Sequence, residues 1–140
     1  MSAATRRGLL DTSVVLVLSR LDDPRVLPAE PLITAVTLAE LTVGPLVART
    51  DDERAARLAQ LQQVEADFVP LPFDAAAARA FGRVAAALRH AGRKVSARSY
   101  DAMIAAIGLA NGLPVYTCNP GDLGGIPGLE VRAVPHPDQS

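Results

Sequence analysis

Cysteine is all but missing from this chain. Its 140 residues contain one, Cys118, so no disulfide closes within the chain, and such sparing use fits a reducing compartment. Histidine is nearly as scarce. His90 and His136 are far apart and neither stands at metal-ligand spacing from another histidine or a cysteine, which speaks against a zinc centre. His90 closes a helical stretch, where a cation favours the helix dipole, and His136 lies in a proline-flanked tail. Net charge is also lacking: the formal value is −1, so any affinity for nucleic acid must come from a local patch. No apolar run approaches the ~18 residues of a membrane span. Thr5-Arg6-Arg7-Gly8-Leu9-Leu10 opens like a twin-arginine or secretory signal. Asp11 interrupts its would-be apolar region, however, and no small-residue cleavage site follows before Arg20, Asp22 and Asp23. A cytoplasmic location and no membrane partner are expected.

What is present is apolar and patterned. The chain is 49% hydrophobic and 21% charged, the balance of a folded domain. A chain of this length suits one domain, 1–140, that buries roughly two-thirds of its unfolded surface. Residues 1–6 and 136–140 are expected to fray. Leu9-Leu10 reads as the end of a buried strand, with Thr12 or Ser13 as N-cap of a short helix from Val14 to about Leu21. Leu32–Val36 reads as a second strand, with Thr37 capping the helix after it. Gly44-Pro45 predicts a bend or break in that helix. Asp51-Asp52-Glu53 opens the next helix as solvated, dipole-compensating acids, and Leu58, Leu61 and Val64 with Ala55 and Ala59 form its apolar face. Phe68–Phe73 is extended and proline-punctuated. Asp74 caps an alanine-rich helix to about Ala91, with Phe81, Val84 and Leu88 facing the core.

Ser99 can cap the helix Tyr100–Ala110, which is apolar almost all round and therefore belongs in the middle of the fold. Asn111-Gly112 ends it, with Pro114 beyond. Val115–Cys118 and Val131–Val134 are the remaining strands. Strands alternating with helices predict an α/β fold: three α/β/α layers around a central, mainly parallel sheet of four or five strands.

In such a sheet the carboxyl ends of the strands share one edge, where ligands bind. Asp11, Glu40 and Asp122 each follow a strand, and Asp101 begins the buried helix. Each has a bland reading. Asp11 can be only a helix cap, and Glu40 stands three residues after Thr37, the spacing of a capping box. The functional reading is convergence of all four acids. Clustered carboxylates repel unless they hold a divalent cation, and oxygen ligands favour Mg²⁺ or Mn²⁺, ions that serve phosphoryl chemistry. Just before Asp101, Arg89, Arg93, Lys94 and Arg98 form a basic flank with no acid between them. By itself this is a solvated loop. Beside an acidic pocket, it suits a substrate carrying phosphates on either side of a cleavable bond.

Leu-Leu-Asp11-Thr-Ser, Thr-Leu-Ala-Glu40-Leu, Tyr-Asp101-Ala-Met-Ile-Ala-Ala and Thr117-Cys-Asn119-Pro-Gly-Asp122-Leu resemble, in order and approximate spacing, the four acidic motifs of PIN domains. In length and layout the chain resembles the VapC-type toxin ribonucleases of bacterial toxin–antitoxin pairs. The resemblance spans Leu9 to about Val134. It implies a PIN fold and a Mg²⁺- or Mn²⁺-dependent endoribonuclease, in which metal-activated water hydrolyses an RNA phosphodiester. It further implies an antitoxin whose C-terminal segment blocks the acidic groove, and commonly a homodimer. On this chain it implies Asp11 and Asp101 as the leading metal ligands. Glu40 is a further ligand or orients water, and Asp122 is the fourth acid. Thr117 and the hydroxyl of Thr12 or Ser13 resemble outer contacts to these ligands or to phosphate. The chain departs from the pattern at Asn119, where many members carry an acid, and at Leu123, where an aromatic is common.

Two other readings stay open on sequence. One is a PIN-like module that binds RNA or protein without cutting, which Asn119 favours. The other is a phosphatase or phosphoreceiver with Asp11 as nucleophile, which lacks a second acid two residues on, Ser13 being there. Cys118 has no histidine–carboxylate pair near it in sequence to make it a nucleophile.

Overall fold

Leu9 and Leu10 stand on opposite faces of one strand, and each belongs to a separate core. In the computed structural model, which describes residues 7–139, that strand is β1 (Arg7–Leu10). It lies inside a four-stranded sheet of order β2-β1-β3-β4, with β2 at Glu30–Leu32, β3 at Val115–Thr117 and β4 at Val131–Ala133. Every pairing is parallel: Leu9 lies beside Leu32 and Val115, and Val115 beside Val131. Parallel neighbours need long crossovers. The β1-to-β2 crossover contains α1 (Thr12–Val17), and the β2-to-β3 crossover contains α2 (Ala35–Leu46), α3 (Asp51–Asp67), α4 (Ala75–His90) and α5 (Ser99–Asn111).

Alternation along the strands sends residues to opposite faces. Leu9 and Val115 pack against Val84 and Leu88 of α4 and Ile104 and Ile107 of α5. Leu10 and Tyr116 pack against Val14 and Val15 of α1, Leu41 of α2 and Val64 of α3. The expected three layers are present, with four strands. As expected, the middle of α5 is buried, at Ala102 and from Ile104 to Gly108, although Tyr100 in its first turn is exposed. A Cβ on Gly108 would come within 2.9 Å of a Val115 methyl, so the absence of a side chain there lets the helix lie on the sheet. Gly112 ends α5 in the left-handed conformation, at φ 64°.

Several local expectations shift. The second strand ends at Leu32, and Thr34, not Thr37, caps α2 by accepting from the Thr37 amide. Asp11 itself caps α1, accepting from Val14 N, in place of Thr12 or Ser13. Arg98 occupies the cap position of α5 without a side-chain bond, and the Ser99 hydroxyl turns back to the Val95 and Ser96 carbonyls. At Gly44-Pro45 the expected break takes the form of the helix end: Pro45 falls in the last turn of α2, which closes at Leu46, and Arg57 donates to the Gly44 carbonyl at 2.9 Å. The face predicted on α3 is largely uncovered: Val64 is buried, whereas Ala55, Leu58 and Ala59 are exposed. Within Phe68–Phe73, Leu71 forms a single parallel bridge to Thr34. Residues 136–139 form a turn tied to Arg20 through Asp138, and residues 1–6 and 140 lie outside the described part.

A candidate acidic site at the carboxyl edge of the sheet

The β1–α1 junction fixes the first acid through the backbone. Asp11 N donates to Tyr116 O at 3.0 Å, continuing the ladder to β3, and Asp11 O accepts from the Val14 and Val15 amides as the helix begins. Asp11 as a whole is 4% exposed. Its Oδ1 accepts from Val14 N at 3.2 Å and from the Ser13 hydroxyl at 2.6 Å. Both bonds fall on one oxygen, so capping and ligand binding are not exclusive: Oδ2 remains for another partner. Ser13 Oγ in turn accepts from Cys118 N at 3.0 Å and lies 3.5 Å from Thr117 Oγ1. Buried Thr117 accepts from Asn119 N at 3.0 Å. One hydroxyl thus ties Asp11 to the chain leaving β3.

Glu40 enters from α2. Because Thr34 is the cap, Glu40 lies in the second turn and takes no capping-box role. Its Oε1 accepts from the Thr12 hydroxyl at 2.7 Å. Thr12 and Thr37 hydroxyls are 2.9 Å apart. With the Thr12 proton committed to Glu40, Thr37 is the donor in that second bond. Sequence reasoning missed this use of Thr37, having assigned its oxygen to the cap. The competing signal was Thr34, which precedes the same helix at a spacing equally suited to capping.

Asp101 stands half-buried in the first turn of α5, where the helix dipole favours a carboxylate. Burial raises the Asp101 pKa above the ordinary carboxylate value, the charges of Asp11 and Asp122 raise it further, and Arg98 opposes them. Burial likewise raises Glu40; the Thr12 hydrogen bond opposes it, and the charges of Asp101 and Asp11 add to the rise. Cys118 is raised chiefly by burial, against the Ser13 bond and with Asp11. Electrostatically, then, Asp11, Glu40, Asp101 and Asp122 form one cluster. A hollow of about 430 Å³ adjoins it, lined by Glu40, Ser96, Arg98, Ser99, Tyr100 and Asp101.

Asp122 differs in kind. It ends a short 3-10 turn, Pro120–Asp122, that follows Asn119, and Arg98 pairs with its carboxylate at 2.8 Å. Of the basic residues, Arg98 meets the acids directly. Arg93 donates from Nη1 to the Asp122 and Gly124 carbonyls at 2.8 and 3.2 Å. Arg89 and Lys94 are exposed beside a neighbouring hollow of the same loop.

Among the described residues, no three His, Cys, Asp or Glu side chains stand close enough to hold a metal ion between them. Mg²⁺ asks for less: it is commonly held by one or two carboxylates, keeps several waters, and takes further oxygens from a phosphate. A buried Asp11 with an uncommitted oxygen, coupled to Asp101, fits that requirement.

A parallel α/β/α sheet with acids from β1, α2, α5 and the loop after β3 gathered at its carboxyl edge defines the class of fold seen in PIN domains. The PIN domain family model matches residues 8–121, a span that includes Asp11, Glu40 and Asp101 and stops just before Asp122. Ribonuclease VapC5 of Mycobacterium tuberculosis is 44% identical over 119 residues, covering 84% of this chain and 86% of its own. Ribonuclease VapC4 of the same organism is 35% identical over 131 residues, covering 92% and 98%. Among solved structures, VapBC-5 from Mycobacterium tuberculosis, a member of the VapBC family of toxin–antitoxin systems, superposes with a TM-score of 0.79 at 41% identity, covering 92% of this chain and 99% of that one. DNA-bound VapBC from Salmonella typhimurium gives 0.74 at 25%, covering 91% and 97%. The chain belongs to the PIN-domain family, among its VapC-like members.

Proposed function

We propose that this chain is an antitoxin-regulated toxin endoribonuclease that hydrolyses RNA phosphodiester bonds with Mg²⁺ or Mn²⁺, and that it works in the cytoplasm as a homodimer. The observation that carries the reading is the acid cluster itself: Asp11 is buried at the end of β1, and half-buried Glu40 and Asp101 beside it are raised first by burial and then by neighbouring acids, Asp11 among them. Carboxylates held in mutual repulsion are poised for a cation and phosphate rather than for each other. Its support from kinship is the similarity to proteins named ribonucleases and to the toxin–antitoxin complex VapBC-5.

In this reading Asp11 and Asp101 hold the cation, with Glu40 and Asp122 completing the acidic surface. When bound, Mg²⁺ or Mn²⁺ supplies a water made more acidic and neutralises charge on the phosphate. The chain's own residues do the rest. Ser13 and the α1 amide fix Asp11, and the Thr12–Thr37 hydroxyl pair aims Glu40. A raised Glu40 pKa brings it nearer the range of a group that takes a proton from attacking water. Arg98 places a guanidinium beside the acids, where it can meet a phosphate oxygen as a planar fork. Arg89 and Lys94 extend positive charge along the strand's path.

A groove of about 630 Å³ between α1 and α3, lined by Val15, Leu18, Ala56, Val64 and Phe68, supports an antitoxin partner that lays an apolar segment there and carries its C-terminal segment over the acidic site. Exposed Val43, Leu46 and Val47 at the end of α2 are further apolar surface for contact between chains.

The test is cleavage of total RNA by the antitoxin-free protein with Mg²⁺ or Mn²⁺, beside Asp101→Asn. Discrete new ends from the wild type alone are the expected result. A non-cutting RNA-binding module is the second reading, favoured by the pairing of Asp122 with Arg98, which neutralises one acid. Intact RNA in both lanes with retained binding would select it.

A further inference from the structure

We infer that Arg93 is a positioning residue for the acidic site, setting the place of Asp122 from behind, and not an RNA contact like its neighbour Lys94. This rests on the ribonuclease reading above. The geometry begins at the end of α4. Gly92 takes φ 79°, a left-handed conformation open to glycine, and Arg93 N bonds back to Leu88 O at 2.9 Å. That is the bond pattern of a closed helix end, and it mounts the Arg93 backbone on a rigid support. From there the guanidinium reaches across to the chain after β3. One nitrogen, Nη1, donates to both Asp122 O and Gly124 O. Arg93 is partly buried, whereas Lys94 and Arg89 are exposed and make no ion pair among the described residues.

The 119–124 loop has little of its own to fix it. Its turn has no side-chain cap. Its own ties are Asn119 N to Thr117 Oγ1 at its start, Asp122 N to Asn119 O, Leu123 N to Pro120 O and the buried Leu123 side chain. Asp122 is therefore held at two points by one basic segment: Arg93 takes its carbonyl and Arg98 its carboxylate. The stretch that looks in sequence like one phosphate-binding patch divides by role. Arg93 and Arg98 face the acid loop, and Arg89 and Lys94 face solvent.

The experiment compares the wild type with Arg93→Ala, Arg93→Lys and Lys94→Ala in three measurements. These are the salt dependence of metal-free RNA binding, the Mn²⁺ concentration giving half the full melting shift, and kcat with KM for cleavage. Arg93→Ala should leave the salt slope and KM near wild type, raise the Mn²⁺ requirement, and lower kcat by roughly ten- to a hundredfold, as loss of a support behind a ligand does. Arg93→Lys should recover part of kcat, since one ammonium can donate to both carbonyls. Lys94→Ala should instead reduce the salt slope by about one and raise KM.

A reduced salt slope in Arg93→Ala, with Mn²⁺ requirement and kcat unmoved, would make Arg93 a phosphate contact and overturn the inference. So would a lower melting temperature with Mn²⁺ requirement and kcat intact, the mark of a strut with no bearing on the site. A wild type that leaves RNA whole sinks the ribonuclease reading instead; the Mn²⁺ titration still decides whether Arg93 supports the acid cluster.

Discussion

Asp11 and Asp122 are two acids of one site that owe their positions to opposite kinds of structure. Asp11 is placed by main chain. A strand ladder delivers it, a helix begins on it, and its carboxylate is nearly sealed from water. Asp122 is placed by side chains. It sits on a loop turn with its carboxylate about one-third exposed, gripped by two arginines from another part of the chain. Secondary structure fixes a group with dihedrals already committed to folding, whereas long side chains must surrender rotamer freedom to do the same. The first acid should be rigid and intolerant of change, and the fourth adjustable and dependent on its holders.

The largest expected effect tests the rigid end. Asp11→Asn preserves the cap, because asparagine caps about as well as aspartate, and its Oδ1 still accepts from Ser13 and Val14. The fold should survive while cleavage falls by more than about a hundredfold, beyond what loss of a mere supporting contact costs. Asp122→Asn, which leaves Arg98 without its ion-pair partner, should cost roughly tenfold. Single-turnover cleavage measures both. Equal losses would erase the distinction between the two acids, and a larger loss at Asp122 would invert it.

How far each acid was legible in sequence follows from the same difference. Asp11 and Asp101 lie at the starts of helices with strong apolar patterning and Glu40 one turn into another, so the α/β/α order and the shared edge could be inferred from spacing. The depth of α5 was readable because its apolar residues occupy every face. What escaped notice turned on side-chain competition. Thr34 and Thr37 are equivalent cap candidates on paper, and the choice between them freed Thr37 to reach Thr12 and moved Glu40 out of the first turn. Arg93 and Arg98 read as a charge patch, since nothing local announces a bond to a loop that comes only after the whole of α5 and β3. The face of α3 was visible as a pattern, but a pattern does not say whether this chain or another covers it.

Electrostatics supplies the next effect. Glu40 and Asp101 have pKa values raised in the fold, chiefly by burial and then by neighbouring acids. A raised acid binds its proton more tightly in the folded state, so its contribution to stability is fully present below the unfolded carboxylate value. It is lost as pH rises through the raised folded value. The metal-free protein should therefore lose this contribution from the ordinary carboxylate range upward. Asp11→Asn should lessen the loss by removing a charge that acts on both groups. Mn²⁺ at a hundred times its dissociation constant should return about 2.7 kcal/mol at neutral pH. Melting curves across pH with and without Mn²⁺ measure this. A melting temperature unmoved by saturating Mn²⁺ would count against convergence of these acids on a cation.

The smallest effect concerns Thr12. Its hydroxyl is the one contact opposing the rise of the Glu40 pKa, so Thr12→Val, nearly the same in shape, should raise that pKa further. Worth about 1 kcal/mol, such a hydrogen bond corresponds to less than about one pH unit. The acid limb of kcat/KM against pH should move upward by that amount with little change in its plateau. Thr37, no longer donating to Thr12, is free to turn its proton toward Glu40 and recover part of the shift, so Thr12→Val with Thr37→Val should move the limb further than the single change. If the double variant leaves the limb in place, Glu40 is not the group whose ionisation governs cleavage. The limb would then follow another group, such as cation-holding Asp101, whose rise in pKa owes nothing to either threonine.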